Sequence, residues 1–157
     1  MSLGYFSYPI PVNEPVLNYA PGSPEKLALK KVLAELKSQK LDIPMYIGGD
    51  EVRTGKTREL RPPHEIAHVL GTFHKGTEEH AKQAIQAALA VRESWANTSW
   101  QERAHIFLKA ADLLATKYRP YINACTMLGQ SKTAYQAEID SACELIDFLR
   151  FNEYFLK

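Results

Sequence analysis

Histidine is the residue of this 157-residue chain whose number and spacing first invite a chemical interpretation. Four of the five histidines occur within a short stretch, at His64, His68, His74 and His80. Histidine is a common metal ligand, but the Pro62-Pro63 pair and the strand-like composition around it favour extended backbone here. No Cys, Asp or Glu completes a recognised ligand set. We therefore predict no metal site, and histidines that lie on the surface or in a sheet.

Either cysteine, Cys125 or Cys143, could serve as a nucleophile. Both lie in apolar patterns with helical spacing, which predicts small buried hydrophobic side chains and no catalytic role. Two glycine-containing segments, Gly48-Gly49 and residues 129–132 (GQSK), lack the spacing of a dinucleotide-binding or phosphate-binding loop. They predict a turn and a helix C-cap, so no residue is assigned to catalysis or to cofactor binding.

Glu138 is the acidic residue with the most unusual position. On a helical wheel with about 100° per residue, three other carboxylates fall together on one side: Asp140, Glu144 and Asp147. Glu138 falls instead among apolar residues, namely Ala142, Leu145 and Leu149. A carboxylate on an apolar face is costly unless it is paired, so Glu138 lies either at the edge of that face or in a polar site. Glu153 shares this anomaly, and the wheel alone does not decide between the two readings.

The elements that must position these residues follow from local signals. Residues 1–22 hold four prolines and predict an extended arm, and Ser23-Pro24-Glu25 predicts the start of a helix that runs to about Lys40. Residues 45–53 predict a hairpin around Gly48-Gly49. Two further strands are predicted at residues 58–61 and 66–73. Four helices follow, with starts at Thr77, at the capping box Ser99–Glu102, at Pro120 and at Thr133.

The last predicted helix is apolar around nearly its whole circumference after Leu145. Such a helix is normally enclosed in a larger body, and no glycine or asparagine C-cap follows it. We therefore expect the chain to be the front piece of a larger protein, with an apolar patch left by residues 148–156 when it is alone.

Composition excludes several functions. A net charge of +1, from 19 basic and 18 acidic residues, gives no electrostatic reason to expect a nucleic-acid partner. No apolar run approaches the ~20 residues that span a bilayer. No secretory or transit signal is recognisable, and the cysteines suit a reducing compartment. We expect a cytoplasmic protein.

Several segments together resemble one known family. Residues 101–114 (QERAHIFLKAADLL) are similar to the helix that precedes the dinucleotide fold in aldehyde dehydrogenases. Residues 126–133 (TMLGQSKT) and 136–152 (QAEIDSACELIDFLRFN) resemble the delta-1-pyrroline-5-carboxylate dehydrogenases of that superfamily, as do residues 13–16 (NEPV) and 22–25 (GSPE). The resemblance spans nearly all of residues 12–157 and only the N-terminal part of the family's chain.

The resemblance implies an α/β fold for the parent protein. This chain would be a mainly α-helical portion with a few short N-terminal β-strands, in which residues 23–157 form a partial N-terminal region associated with the NAD domain and end before the dinucleotide-binding core. It also implies a homo-oligomer that uses NAD to oxidise glutamate semialdehyde, a small-molecule substrate, to glutamate in proline breakdown. The nucleophilic cysteine, the oxyanion-hole asparagine, the general base and the NAD-binding residues would lie beyond Lys157, so the chain alone should neither bind NAD nor oxidise an aldehyde.

The resemblance assigns one site residue within the chain, because a glutamate on the matching helix lines the family's substrate pocket and Glu138 aligns with it. There it would attract the substrate's ammonium group or constrain the pocket's shape. A surface glutamate paired with a lysine is the structural alternative. At the level of the whole chain, the alternative is a self-standing helical interaction module without catalysis.

Overall fold

The computed structural model describes residues 10–156, so the first nine residues of the predicted arm and Lys157 lie outside the described residues. Six helices, five strands and one π-helical segment follow the arm within this range. In chain order they are α1 (Pro24–Ser38), β1 (Leu41–Ile43), β2 (Met45–Ile47), β3 (Asp50–Val52), β4 (Thr57–Leu60), β5 (Gly71–His74), α2 (Glu78–Asn97), α3 (Trp100–Ala115), α4 (Arg119–Gln130), α5 (Ala134–Ala137), the π segment (Glu138–Cys143) and α6 (Glu144–Leu156). None of the helices within residues 10–156 is long and apolar enough to cross a membrane.

The predicted start of α1 is confirmed. The Ser23 hydroxyl accepts a hydrogen bond from the Lys26 N–H at 3.4 Å, and Pro24 occupies the first helical position, where a missing N–H costs nothing. The helix ends at Ser38, slightly before the predicted end. Its buried residues, Leu29 and Val32, pack against Ala124 of α4.

The predicted hairpin is also confirmed, because β2 and β3 pair antiparallel around Gly48 and Gly49. Both glycines have positive φ, at 63° and 95°, as a two-residue hairpin turn of this hand requires. The prediction of a strand over residues 66–73 is partly wrong, since only residues 71–74 form β5 and the preceding residues form turns. The sequence pattern also missed β1, whose three residues pair in parallel with β5 about thirty positions later.

The helical region differs from expectation mainly in α2. Apolar residues recur along this helix with helical spacing, at Ala81, Ile85, Leu89 and Trp95, but this face is not covered: none of the helix residues is buried, and Ile85 and Leu89 are more than half exposed. The capping box at the start of α3 is confirmed, since Ser99 and Glu102 exchange hydrogen bonds. The C-cap predicted within residues 129–132 is confirmed at Ser131, which takes the left-handed conformation with φ of 60°.

The long last helix is interrupted by the π segment. The Glu144 N–H donates to the Ile139 carbonyl, five residues back rather than four, which is the hydrogen-bond pattern of a π-helix. The buried residues on either side of this segment are therefore five positions apart: Ala142 follows Ala137, and Cys143 follows Glu138. A fixed angle of 100° per residue cannot describe this face.

Two apolar clusters hold the helices together. The first joins the arm to α1 and α4 through Tyr19, Leu29, Val32 and Ala124. The second joins α3 to the last helix through Ala111, Ala142 and Ile146. Glu138 lies in the helix that links the two clusters.

Gly71 provides a test of the β1–β5 pairing. A Cβ at this position would lie 2.1 Å from the Leu41 carbonyl oxygen, so Gly71→Ala must push the two strands apart. We expect a loss of about 1–3 kcal/mol in unfolding free energy. Gly129→Ala is the matched control, because its Cβ meets nothing within 4 Å inside a helix, and it should stabilise by about 0.4–1 kcal/mol. Urea denaturation of both variants measures the difference, and equal effects would contradict the strand pairing.

Candidate functional site

The candidate site is built around the carboxylate of Glu138, which is completely buried. Two arm residues donate to it. The Leu17 backbone N–H donates to Oε1 at 2.8 Å, and the Tyr19 hydroxyl donates to Oε2 at 2.7 Å. The surface alternative for Glu138 is therefore wrong, since its partners come from the arm and the interior rather than from an exposed lysine.

Helix α4 supplies further donors. The guanidinium of Arg119 lies side-on to the carboxylate, with Nε donating to Oε2 at 3.3 Å and Nη2 donating to Oε1. The Asn123 amide donates to Oε2 at 2.8 Å and also to the Tyr19 hydroxyl at 2.8 Å. A bidentate guanidinium–carboxylate pair of this kind is both strong and geometrically specific.

Arg119 also binds the arm directly. Its Nη1 donates to Glu14, and its Nη2 donates to the Pro15 carbonyl at 2.7 Å. The second oxygen of Glu14 accepts from Arg150 of α6 at 2.6 Å. Two carboxylates and two guanidinium groups thus alternate across the arm, α4 and the last helix. Sequence reasoning did not identify Arg119, because no spacing links a residue of α4 to its partners in other elements.

The arm is fastened at two further points. Asp147 accepts from the Asn13 side chain and from the Glu14 N–H, both at 2.7 Å. Tyr19 adopts a positive φ of 53°, which is unfavourable for a residue with a side chain. The hydrogen bond from its hydroxyl to Glu138 and its burial against α1 and α4 offset that strain.

Burial and hydrogen bonding act in opposite directions on the charge of Glu138. Burial alone would raise the pKa, but the donors from Arg119, Leu17, Tyr19 and Asn123 outweigh it and hold the pKa of this carboxyl below its ordinary value. Burial, together with the neighbouring carboxylate of Glu138, raises the pKa of Tyr19 well above its usual range. The network is therefore most stable with Glu138 ionised and Tyr19 neutral.

The π segment brings Cys143 beside the same carboxylate. Its Sγ lies 3.8 Å from Glu138 Oε1 and 3.5 Å from Arg119 Nη2. Glu138 and Cys143 are thus close in space although they are five positions apart in the sequence. Burial and the charge of Glu138 raise the pKa of Cys143 to about 11. Cys143 is buried, as predicted, whereas Cys125 is exposed and that part of the prediction is wrong.

A groove runs between the arm and the last helix, and we call it the arm groove. Its volume is about 600 Å³. It is lined on the arm side by Asn13, Glu14 and Val16, and on the helix side by Ile139, Asp140, Cys143, Glu144, Asp147, Phe148 and Phe151. The three carboxylates that the wheel placed together, at positions 140, 144 and 147, all border this groove. The Glu138 network lies directly behind it, with Glu14 and Cys143 common to both.

Glu153, the second carboxylate on the apolar face, has a different environment. It is 6% exposed, and its Oε2 has no hydrogen-bond partner within the described part of the chain. Burial raises the pKa of Glu153, and the charge of Arg103 only partly opposes this effect. The two glutamates that the sequence could not distinguish are thus opposite cases: one is held ionised by five donors and the other is poorly paired.

The histidines occupy separate places. His64 contacts the Ser131 hydroxyl at 2.7 Å, and His74 of β5 lies between Asp42 and the Thr54 N–H. His80 caps the start of α2 through Thr77. Across residues 10–156, no group of three or more His, Cys, Asp or Glu side chains is placed to hold a metal ion.

The two glycine segments do not have the surroundings of a dinucleotide-binding loop. Gly48 and Gly49 form the hairpin turn, and Gly129 lies inside α4, so neither glycine segment joins a strand to the N-terminus of a helix. That junction is what a pyrophosphate needs.

Comparison with known proteins identifies related chains. The model of the aldehyde dehydrogenase family matches residues 52–155. A delta-1-pyrroline-5-carboxylate dehydrogenase of Agaricus bisporus is 49% identical over 150 residues, which cover 95% of this chain and 28% of that protein. The mitochondrial enzyme of the same name from Dictyostelium discoideum is 46% identical over 144 residues, covering 92% and 26%. The resemblance seen in the sequence is confirmed.

A solved structure gives the same result for the fold. The delta-pyrroline-5-carboxylate dehydrogenase of Mycobacterium tuberculosis, crystallised with NAD, matches with a TM-score of 0.95 and 46% identity. The match covers 99% of this chain and 29% of that one. The predicted fold class, a mainly helical portion of an α/β protein with a few short strands, is confirmed. The chain spans between a quarter and a third of the length of these relatives.

Glu138→Ala should destabilise the chain strongly. Removing the carboxylate leaves the buried Arg119 guanidinium without its bidentate partner, and breaking a buried ion pair in this way costs about 3–5 kcal/mol. Glu144→Ala is the control on the same helix, because Glu144 is exposed, and it should change the unfolding free energy by about 0.5 kcal/mol or less. Chemical denaturation measures both, and a loss below about 1 kcal/mol for Glu138→Ala would contradict the network.

The stabilisation by Glu138 should depend on pH. Because the pKa is lower in the folded chain than in the unfolded chain, the contribution is complete above the unfolded value of about 4.3 and is lost as the pH falls through the folded pKa. The difference in Tm between the wild-type chain and Glu138→Gln should therefore narrow as the pH is lowered from neutral towards 3. Thermal melts at a series of pH values measure it. A difference that stays constant over this range would mean that Glu138 is not ionised in the folded chain.

Proposed function

Because the chain belongs to the aldehyde dehydrogenase family, we propose that it is part of an NAD-dependent dehydrogenase that oxidises glutamate semialdehyde to glutamate. The substrate is the open form of pyrroline-5-carboxylate, and the reaction is the second step of proline breakdown. The observation that carries this proposal is the identity of 46–49% with proteins named delta-1-pyrroline-5-carboxylate dehydrogenase, over more than nine-tenths of the chain. The interaction-module alternative has no observation of its own in its favour.

The catalytic groups and the NAD site belong, in this proposal, to parts of the enzyme outside this chain. The absence of a pyrophosphate junction among residues 10–156 supports that division, as does the raised pKa of Cys143, which keeps the side chain a thiol near neutral pH. The chain alone is then inactive. A homo-oligomer is proposed for the complete enzyme. The proposed compartment is the cytoplasm, on the basis of two free cysteines, although relatives from Dictyostelium discoideum and Mus musculus are named as mitochondrial.

Within this function we propose that Glu138 belongs to the substrate site and acts by constraining its shape. Both carboxylate oxygens are occupied by donors of the chain itself, and the guanidinium of Arg119 compensates the negative charge at hydrogen-bond distance. An ammonium group would have to displace one of these donors to reach the carboxylate. The geometry therefore favours the shape role over direct attraction of the substrate's ammonium group.

The arm groove is the contribution of this chain to the substrate site in the proposal. Its lining includes the apolar side chains of Val16, Ile139, Phe148 and Phe151, which suit the methylene chain of glutamate semialdehyde. It also includes the carboxylates of Asp140, Glu144 and Asp147. Asp140 is paired with Lys132, so the local negative potential that favours the approach of an ammonium group comes mainly from Glu144 and Asp147. Glu138 then fixes the wall of the groove from behind.

The complete enzyme provides the test. Glu138→Ala should lower kcat/KM for glutamate semialdehyde by about tenfold or more, equivalent to ~1.4 kcal/mol of transition-state binding. A simple aliphatic aldehyde, which carries neither the ammonium nor the carboxylate group, should be affected much less. Steady-state kinetics with both aldehydes, at equal concentrations of folded enzyme, give the comparison.

Glu153→Ala is the matched control, since Glu153 is a second buried glutamate of the last helix that contributes nothing to the arm groove or to the Glu138 network. It should leave the ratio of the two kcat/KM values unchanged. If Glu138→Ala lowers kcat/KM equally for both aldehydes, in proportion to the loss of folded protein, the role of Glu138 in the substrate site is refuted. A wild-type enzyme inactive on glutamate semialdehyde would refute the proposed function itself.

A further inference from the structure

Arg119 connects several elements of the chain at once. Its side chain is 7% exposed, and it contacts three separate parts of the chain. It binds Glu14 and the Pro15 carbonyl of the arm, the Glu138 carboxylate at the start of the π segment, and the Cys143 thiol at the end of that segment. Arg119 is thus the single side chain of the network that touches both walls of the arm groove and the residue behind it.

The arm has no secondary structure that could fix its position. Residues 10–20 form neither helix nor strand, so this wall of the arm groove depends on side-chain bonds to α4 and the last helix. Arg150 and Asp147 fasten the arm from the solvent side through Glu14 and Asn13. Leu17 and Tyr19 bind Glu138 directly, whereas Arg119 links the preceding arm residues, Glu14 and Pro15, to Glu138 through one rigid group.

We propose that Arg119 is a positioning residue of the substrate site: it holds arm residues 13–17 and the Glu138 carboxylate in one arrangement, and so sets the width of the arm groove. This inference rests on the proposed function for its substrate, an aldehyde that carries an amino acid group. Arg119 does not touch the substrate in this role. It acts through the two walls that it joins.

The guanidinium is suited to this task and an ammonium is not. The planar group donates in several fixed directions at once, and here it uses them for a bidentate carboxylate, a second carboxylate and a carbonyl. A lysine at the same position has a point charge on a flexible stem. It would satisfy one carboxylate and release the other partners. The arm around Glu14 and Pro15 would then move relative to Glu138, while the buried charge remained compensated.

The experiment compares Arg119→Lys with Arg150→Lys in the complete enzyme. Both changes keep the positive charge, and both weaken a pair with Glu14, but only the first affects Glu138. We expect KM for glutamate semialdehyde to rise about tenfold in Arg119→Lys and about twofold or less in Arg150→Lys, with kcat changed by about twofold or less in both. KM for a simple aliphatic aldehyde should not change. A purely structural role would instead reduce kcat for both aldehydes through loss of folded enzyme, with KM unchanged, and that result would overturn the proposal.

Glu14→Gln is the second variant if Arg119→Lys does not fold. It weakens the bond from the arm to Arg119 and leaves the Arg119–Glu138 pair in place, and it should raise KM for glutamate semialdehyde in the same direction. Amide hydrogen exchange reports the arm independently of activity: the Leu17 N–H, which donates to Glu138, should exchange faster in both variants. Unchanged exchange and unchanged KM would overturn the proposal. If the wild-type enzyme does not act on glutamate semialdehyde, the proposed function fails, while faster exchange at Leu17 still supports the link between Arg119 and the arm.

Discussion

The burial of one ionised carboxylate constrains the arrangement of the arm, α4 and the last helix. An ionised side chain with no exposed surface is tolerated only when donors replace the water that it has lost. Glu138 satisfies this condition with donors from two elements: Leu17 and Tyr19 from the arm, and Arg119 and Asn123 from α4. Because no single element supplies enough donors, the carboxylate is stable only when the arm and α4 are both in place. The irregular arm is ordered by this requirement rather than by backbone pairing.

The π segment is the local feature that makes the arrangement possible. With α-helical spacing, residues five apart point in clearly different directions, and Glu138 and Cys143 could not both face Arg119. The i→i−5 bond from Glu144 to Ile139 widens the turn and brings both side chains to one side. π segments inside α-helices are rare, and those that occur are often found at functional sites. Its position here, between the buried network and the arm groove, agrees with that tendency.

The sequence predicted elements whose signals are local, and missed those that depend on distant partners. The caps at Ser23 and Ser99 and the hairpin at Gly48-Gly49 were found because each signal lies within a few residues. Strand β1 was missed because its pairing partner lies about thirty residues away. Glu138 was identified as unusual from its place on the wheel, but its role came from the family resemblance. Arg119 was not identified, because an arginine at the start of a helix gives no indication that it pairs with residues 19 and 105 positions away.

Glu138 and Glu153 show why a buried carboxylate is informative only together with its partners. Both were expected on one apolar face, and both are buried, yet the pKa of Glu138 is lowered by its donors and that of Glu153 is raised by burial. A group that is fully paired within its own chain has a fixed position and charge, and it can serve as a rigid part of a site. A group with an unpaired oxygen still lacks a partner among residues 10–156. The exposed apolar residues of α2, including Ile85 and Leu89, likewise lack a covering partner among residues 10–156. Relatives three to four times as long have further residues with which to cover such surfaces.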